Sequence, residues 1–167
     1  MLPEGLRAVG VVMVYRAPMR ARTLDLPAGA GAAHGVTHGL VGTGDALPTV
    51  PSSLEQAVDL AAREHGEKTG RMLARFAELP DGTFVWTRLA DDTYRLGRIT
   101  GPWRYDDSGA ARAVGIHHVR DAEWLDRPIG DDVVPAAVAA TFARGGRNVQ
   151  QIHGEGLADA TAALWDD

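Results

Sequence analysis

The chain has 167 residues and no cysteine, which excludes disulfides and thiolate-bound metals and favours an intracellular setting. No apolar run approaches the roughly 18 residues that a membrane helix needs. The opening Met1-Leu-Pro-Glu-Gly-Leu-Arg7 also lacks a basic region followed by a long apolar stretch, so the expectation is a soluble, cytoplasmic protein with no membrane partner. Lysine is almost missing, because all 17 basic residues except Lys68 are arginine. Part of that bias reflects the Ala, Gly and Arg content of a GC-rich coding sequence. Gly66 stands two residues before the lone lysine, so the D/E-x-K element of many nucleases is absent. Asn148 and His153 alone do not make an HNH site, and no Gly-x-Ser-x-Gly or Walker loop occurs. No cofactor is expected.

The net charge of −5 argues against a broad basic face. Its distribution matters more than its sum. Glu155, Asp159, Asp166 and Asp167 put most of the excess acid in the last segment, which leaves the body of the chain nearly balanced and able to form a narrow electropositive groove. Arginine suits such a groove because its planar fork contacts phosphates and base edges in pairs of hydrogen bonds.

Size and composition point to one domain over residues 1–154, followed by an acidic helix or tail over 155–167. Val9 to Tyr15 is a β-branched run that reads as a first strand. Residues 27–35, rich in Gly and Ala, read as a loop, and Val36 to Val41 as a second strand. Ser52 with Glu55, or Ser53 with Gln56, has capping-box spacing and starts a helix that Gly66 ends. A second helix from about Glu67 to Leu79 carries Met72, Leu73, Phe76 and Leu79 at helical spacing, and Pro80-Asp81-Gly82 breaks it. Thr83 to Leu89 and Thr93 to Thr100 read as a hairpin, with Phe84, Trp86 and Arg88 on one face and Val85 and Thr87 on the other. Gly101-Pro102 is expected to turn the chain. Val114 to Trp124 reads as a strand, Pro135 as the start of a helix bearing Val138 and Phe142, and Asn148 to His153 as a last strand. A weak terminal helix is expected over 155–165. This order lacks the strict alternation of a parallel α/β fold and predicts α+β, with a strongly bent sheet or small β-barrel flanked by helices.

Trp86, Tyr94, Trp103, Tyr105 and Trp124 are interleaved with Arg88, Arg95, Arg98, Arg104 and Arg120. Aromatic faces beside guanidinium groups suit an unpaired base and its phosphates. The blocks Asp81-Gly-Thr-Phe-Val-Trp-Thr87, Tyr94-Arg-Leu-Gly-Arg-Ile-Thr-Gly-Pro-Trp-Arg-Tyr105 and His118-Val-Arg-Asp-Ala-Glu-Trp-Leu125 resemble the EVE-like domains of the PUA superfamily. These often occur as N-terminal modules of bacterial modification-dependent restriction systems. The resemblance covers roughly residues 9–153.

In that family, and in its YTH and SRA relatives, the domain takes a modified base into an aromatic-lined pocket. The resemblance therefore implies a non-catalytic reader of modified DNA, with 5-methylcytosine as the first base and N6-methyladenine as the second. It puts Trp86, Trp103, Tyr105 and Trp124 in the base pocket, with Tyr15 as an addition. Trp103 stands where the family usually has tyrosine, which alters the width of the pocket. Arg98, Arg104, Arg120 and Arg147 are the candidate nucleic-acid contacts. Methylated DNA is the expected partner, with RNA, a homo-oligomer and a separate nuclease as further ones. Two other readings stand beside this one. The same pocket would serve an RNA- or tRNA-binding PUA-type module, and His117, His118 and Asp121 would serve a metal-dependent hydrolase. His34, His38 and His153 make a weaker metal signal, because the first two read as lying in a Gly-rich loop rather than on a helix.

Overall fold

The computed structural model describes residues 12–22 and 24–167. Among these residues six strands form one sheet: β1 (Val14–Arg16), β2 (Leu40–Thr43), β3 (Phe84–Arg88), β4 (Tyr94–Tyr105), β5 (His118–Trp124) and β6 (Gln150–Gln151). Among the described residues six helices flank it: α1 (Ala30–His38), α2 (Leu54–His65), α3 (Glu67–Glu78), α4 (Gly109–Val114), α5 (Ala136–Ala143) and α6 (Leu157–Asp166). The spatial order of the strands is β2-β5-β4-β3-β1-β6. Only β1 and β3 run parallel, and the other neighbours are antiparallel. The fold is α+β with a curved sheet that does not close, since β2 and β6 lie at opposite ends of it.

Both faces of this sheet are buried, each by its own helices. Val85, Ile99 and Val119 turn to the side where Ala32 of α1, Ala57 and Ala61 of α2, and Leu73 and Phe76 of α3 pack. Val14, Phe84, Trp86, Tyr94 and Leu96 turn to the other side, against Val138 of α5 and Leu157 of α6. The expected alternation along β3 is therefore present, and both of its sides are core. Residues 155–165 form the expected helix, which is fastened down. Trp165 packs on Phe84 with centroids 5.9 Å apart, and the Arg127 guanidinium donates to Leu164 O at 2.7 Å. No helix among the described residues is long and apolar enough to cross a membrane.

The helix pair α2–α3 starts as its sequence dictates. Ser53 Oγ accepts from Gln56 N–H at 3.1 Å, and the Gln56 side chain accepts in return from Ser52 N–H. This satisfies two of the N–H groups that a helix start leaves open.

Elsewhere the elements differ from expectation. Of the proposed first strand, residues 9–11 lie outside the described residues, and the strand seen is Val14–Arg16. The Gly/Ala stretch is α1 rather than a loop, and the second strand begins only at Leu40. Its glycines are there for close approach: a Cβ on Gly31 would lie 1.8 Å from Met19 O, and one on Gly35 would lie 2.6 Å from Met19 Sδ. Glycine costs helix propensity of about 1 kcal/mol per residue, and the packing of Met19 and Ala32 into the core offsets it.

Gly101-Pro102 does not turn the chain. β4 runs on to Tyr105, and an irregularity between Ile99 and Trp103 in its pairing with β5 absorbs the misfit. The stretch assigned to a strand from Val114 begins instead as the end of α4, capped by Ser108 Oγ accepting from Ala111 N–H at 3.1 Å.

Candidate nucleic-acid interface

α3 presents two faces. Leu73 and Phe76 are buried, while Lys68, Arg71 and Arg75, spaced three and four residues apart, stand exposed in one row on the outside. Arg147, in the segment leading to β6, faces the same groove with Asn148 and Gln150, and Arg22 and His65 close one end. The groove has a volume of about 590 Å³ and no carboxylate among its lining residues. Lys68, Arg75 and Arg147 make no ion pair among the described residues, and Arg71 has only an exposed partner, Glu67, at 3.8 Å. Four cations, of which Arg71 alone has a counter-charge within reach, form a pattern that suits phosphates.

Arg22 and His65 also line a second cavity of about 440 Å³. This lies within the range of roughly 300–1,000 Å³ typical of small-molecule sites. Tyr105, His117, Asp45 and Leu47 line it, with Leu24 and Val50 at its exposed apolar rim. Tyr105 Oη accepts from Leu47 N–H at 3.0 Å, which ties the loop after β2 to the end of β4. The Tyr105 ring stacks on His117 with centroids 5.3 Å apart and planes 13° from parallel. His117 Nδ1–H donates to Asp106 O at 2.8 Å, which leaves Nε2 as the lone-pair nitrogen of the neutral ring.

Behind Tyr105 lies His118, edge-on to it at 5.3 Å. Its Nδ1 accepts from Trp103 Nε1–H at 3.2 Å, so the proton of the neutral ring sits on Nε2, a buried atom without a partner. Burial, reinforced by the neighbouring His117, pushes this imidazole down to about 4. The unfolded chain, with an ordinary histidine near 6.5, therefore binds more protons between those values. The contribution of His118 to stability is complete above pH 6.5 and is lost as pH falls towards 4, by about 3 kcal/mol in all. Urea midpoints should show wild type losing about 2–3 kcal/mol more than His118→Gln between pH 7 and 4.5. Equal losses would refute the assignment.

Of the residues proposed from sequence, Tyr105 and Arg147 line these cavities. Trp103 supports the wall through His118, and it is half-buried against the core. Trp124, also half-buried, lies over Gly97 and donates to Leu40 O at 3.0 Å.

Trp86 and Tyr15 are core residues. Trp86 is fully buried on the α5–α6 face, with its N–H directed at Thr161 Oγ1, and Tyr15 is buried on the opposite face. Neither presents a ring to a ligand.

The arginines divide similarly. Arg120 is buried and donates to Gly101 O, Phe76 O and Leu79 O and to the Asp81 carboxylate. It closes the C-terminus of α3 rather than meeting phosphate. Arg98 lies over Phe84 and Trp165, at 5.6 and 5.4 Å from their centroids, on the α5–α6 face. Arg104 is exposed and paired with Asp121 at 2.6 Å. That pair also occupies the carboxylate offered to the hydrolase reading. Among the described residues, no three of His, Asp and Glu come together as a metal site.

Sequence reasoning missed Lys68, Arg71, Arg75, Arg22 and Asp45. The first three carried a signal, a cationic row opposite the apolar stripe of α3.

No protein-family model matches the chain, and no curated protein matches it. Among solved structures, the YTH domain of Zygosaccharomyces rouxii MRB1 protein, in complex with N6-methyladenosine RNA, is similar over 94% of this chain and 86% of that chain, with a TM-score of 0.42 and 9% sequence identity.

Proposed function

We propose that the chain is a non-catalytic module that binds a nucleic-acid strand and reads one modified base on it. The strand's phosphates follow Lys68, Arg71, Arg75 and Arg147, and the base enters the cavity beside Tyr105. One observation carries this reading: an acid-free basic groove adjoins a cavity of base-binding size, with Arg22 and His65 shared between them. A flipped or unpaired base stacked on an aromatic ring gains about 1–3 kcal/mol, which offsets the few kcal/mol of extruding it from a duplex. A methyl group set against Leu24, Leu47 and Val50 adds about 0.8 kcal/mol. That corresponds to roughly a fourfold preference. DNA bearing 5-methylcytosine is the first ligand of the proposal, and N6-methyladenine is the second.

Fluorescence anisotropy on matched oligonucleotides, single-stranded and duplex, with and without each mark, tests it at one stated salt concentration. Tyr105→Ala should weaken binding of the preferred oligonucleotide by about 1–3 kcal/mol, and Tyr105→Phe by much less. Equal binding of all oligonucleotides, together with unaltered binding by Tyr105→Ala, would remove the base-reading role. Unmodified RNA competing as well as the modified DNA would favour the RNA-binding reading.

A further inference from the structure

The polar groups facing the cavity are of unequal kinds. Asp45, whose side chain is 13% exposed, lines it, and its Oδ2 accepts from Arg22 Nε at 3.1 Å. No donor among the described residues reaches its Oδ1. The other cation of the cavity wall, Arg112, is held by Asp107 through two hydrogen bonds of 3.2 and 2.7 Å. Ala46 O is engaged by His65. Asp45 Oδ1 is thus the one carboxylate oxygen of the lining that no donor among the described residues reaches, and it stands beside the His117 lone pair, the Thr49 and Tyr105 hydroxyls and the Arg22 N–H groups that Asp45 and Thr69 leave open.

We propose, building on the base-reading site, that Asp45 sets its specificity: the free carboxylate oxygen accepts from the exocyclic amino group of the bound base. Amino-bearing bases present an N–H donor there, whereas thymine and uracil present a carbonyl oxygen at the same place. An oxygen set against a carboxylate leaves two acceptors facing each other with no proton between them. A site that pairs an N–H rejects the analogue lacking it strongly. 5-Methylcytosine and thymine share ring and methyl group and differ at this edge. They therefore confine the comparison to this edge, where thymine also carries a proton on N3.

The test uses the full chain and oligonucleotides identical except for one position carrying 5-methylcytosine or thymine. Wild type should bind the former about 10–100-fold more tightly, a partly solvated version of the discrimination seen at buried sites. Asp45→Asn keeps the shape and can turn its NH₂ towards a carbonyl. It should bring the ratio to about twofold or invert it. Equal wild-type binding of the two bases, or full discrimination retained by Asp45→Asn, would overturn the proposal. The wild-type ratio needs no variant, so a misfolded Asp45→Asn leaves the test intact. Tyr105→Ala separates the two levels. Lost affinity on Tyr105→Ala with no base preference in wild type sinks the role of Asp45 alone, and no effect of Tyr105→Ala sinks the pocket itself.

Discussion

Replacing Lys68, Arg71, Arg75 and Arg147 together by alanine should flatten the salt dependence of single-strand binding, shifting the slope of log K against log salt by about 2.8. The number follows from four phosphate contacts at roughly 0.7 released counterions each. Through those contacts wild type should lose about 50-fold in affinity between 50 and 200 mM salt, and at 50 mM the variant should bind at least that much more weakly. All four side chains are exposed, so their removal leaves the core untouched. Arg63→Ala is the matched control, since Arg63 is an exposed arginine on α2 already paired with Asp59 at 2.8 Å. An unchanged slope in the quadruple variant, or an equal drop in the control, would show that the groove is not the strand's path.

The largest effect on stability should come from Arg120→Met, at about 3–5 kcal/mol. Arg120 satisfies three backbone carbonyls at once, two of them near the end of α3 and one at Gly101 within β4. A methionine fills much of the volume and offers none of the donors, and each buried carbonyl left without a partner costs about 1–3 kcal/mol. The melting temperature should fall by roughly 10–15 °C for a domain of this size. Burial lowers the guanidinium pKa, and Asp81 opposes that shift. The group nevertheless stays charged at any ordinary pH, so this loss is independent of pH around neutrality. Arg104→Ala, which breaks an exposed pair with Asp121, should change stability by less than about 1 kcal/mol. Comparable losses for the two variants would contradict the different roles given to them.

Arg120 also shows where a sequence stops being informative. Arg98, Arg104 and Arg120 are alike in type and in aromatic company, yet one lies over Phe84 and Trp165, one is exposed and one is buried on helix-end carbonyls. Nothing local distinguishes them, because their partners come from distant parts of the chain. The helix pair α2–α3 was legible because its cap and stripe are set within a few residues. The β3–β4 hairpin was legible for the same reason, with the two faces of β3 correctly divided. α1 was misread because its glycines are explained by the close approach of Met19 and, at Gly35, of Leu40 O as well.

Periodicity, caps and charge rows are consequences of covalent neighbours, and they were enough to establish an α+β chain with short-range signals in its helices and hairpin. They also held the cationic row of α3, which stands on the outside of the helix, away from its buried face. Alternation along a strand says which side chains share a face. It does not say what covers that face, and here helices cover both, which turned Trp86 and Tyr15 into core and left Tyr105 at the cavity. Long-range packing also brought Asp45, Arg22, His65 and His117 together around that ring. Burial and pairing depend on contacts between residues far apart in the chain, and those contacts exist only once the chain has folded.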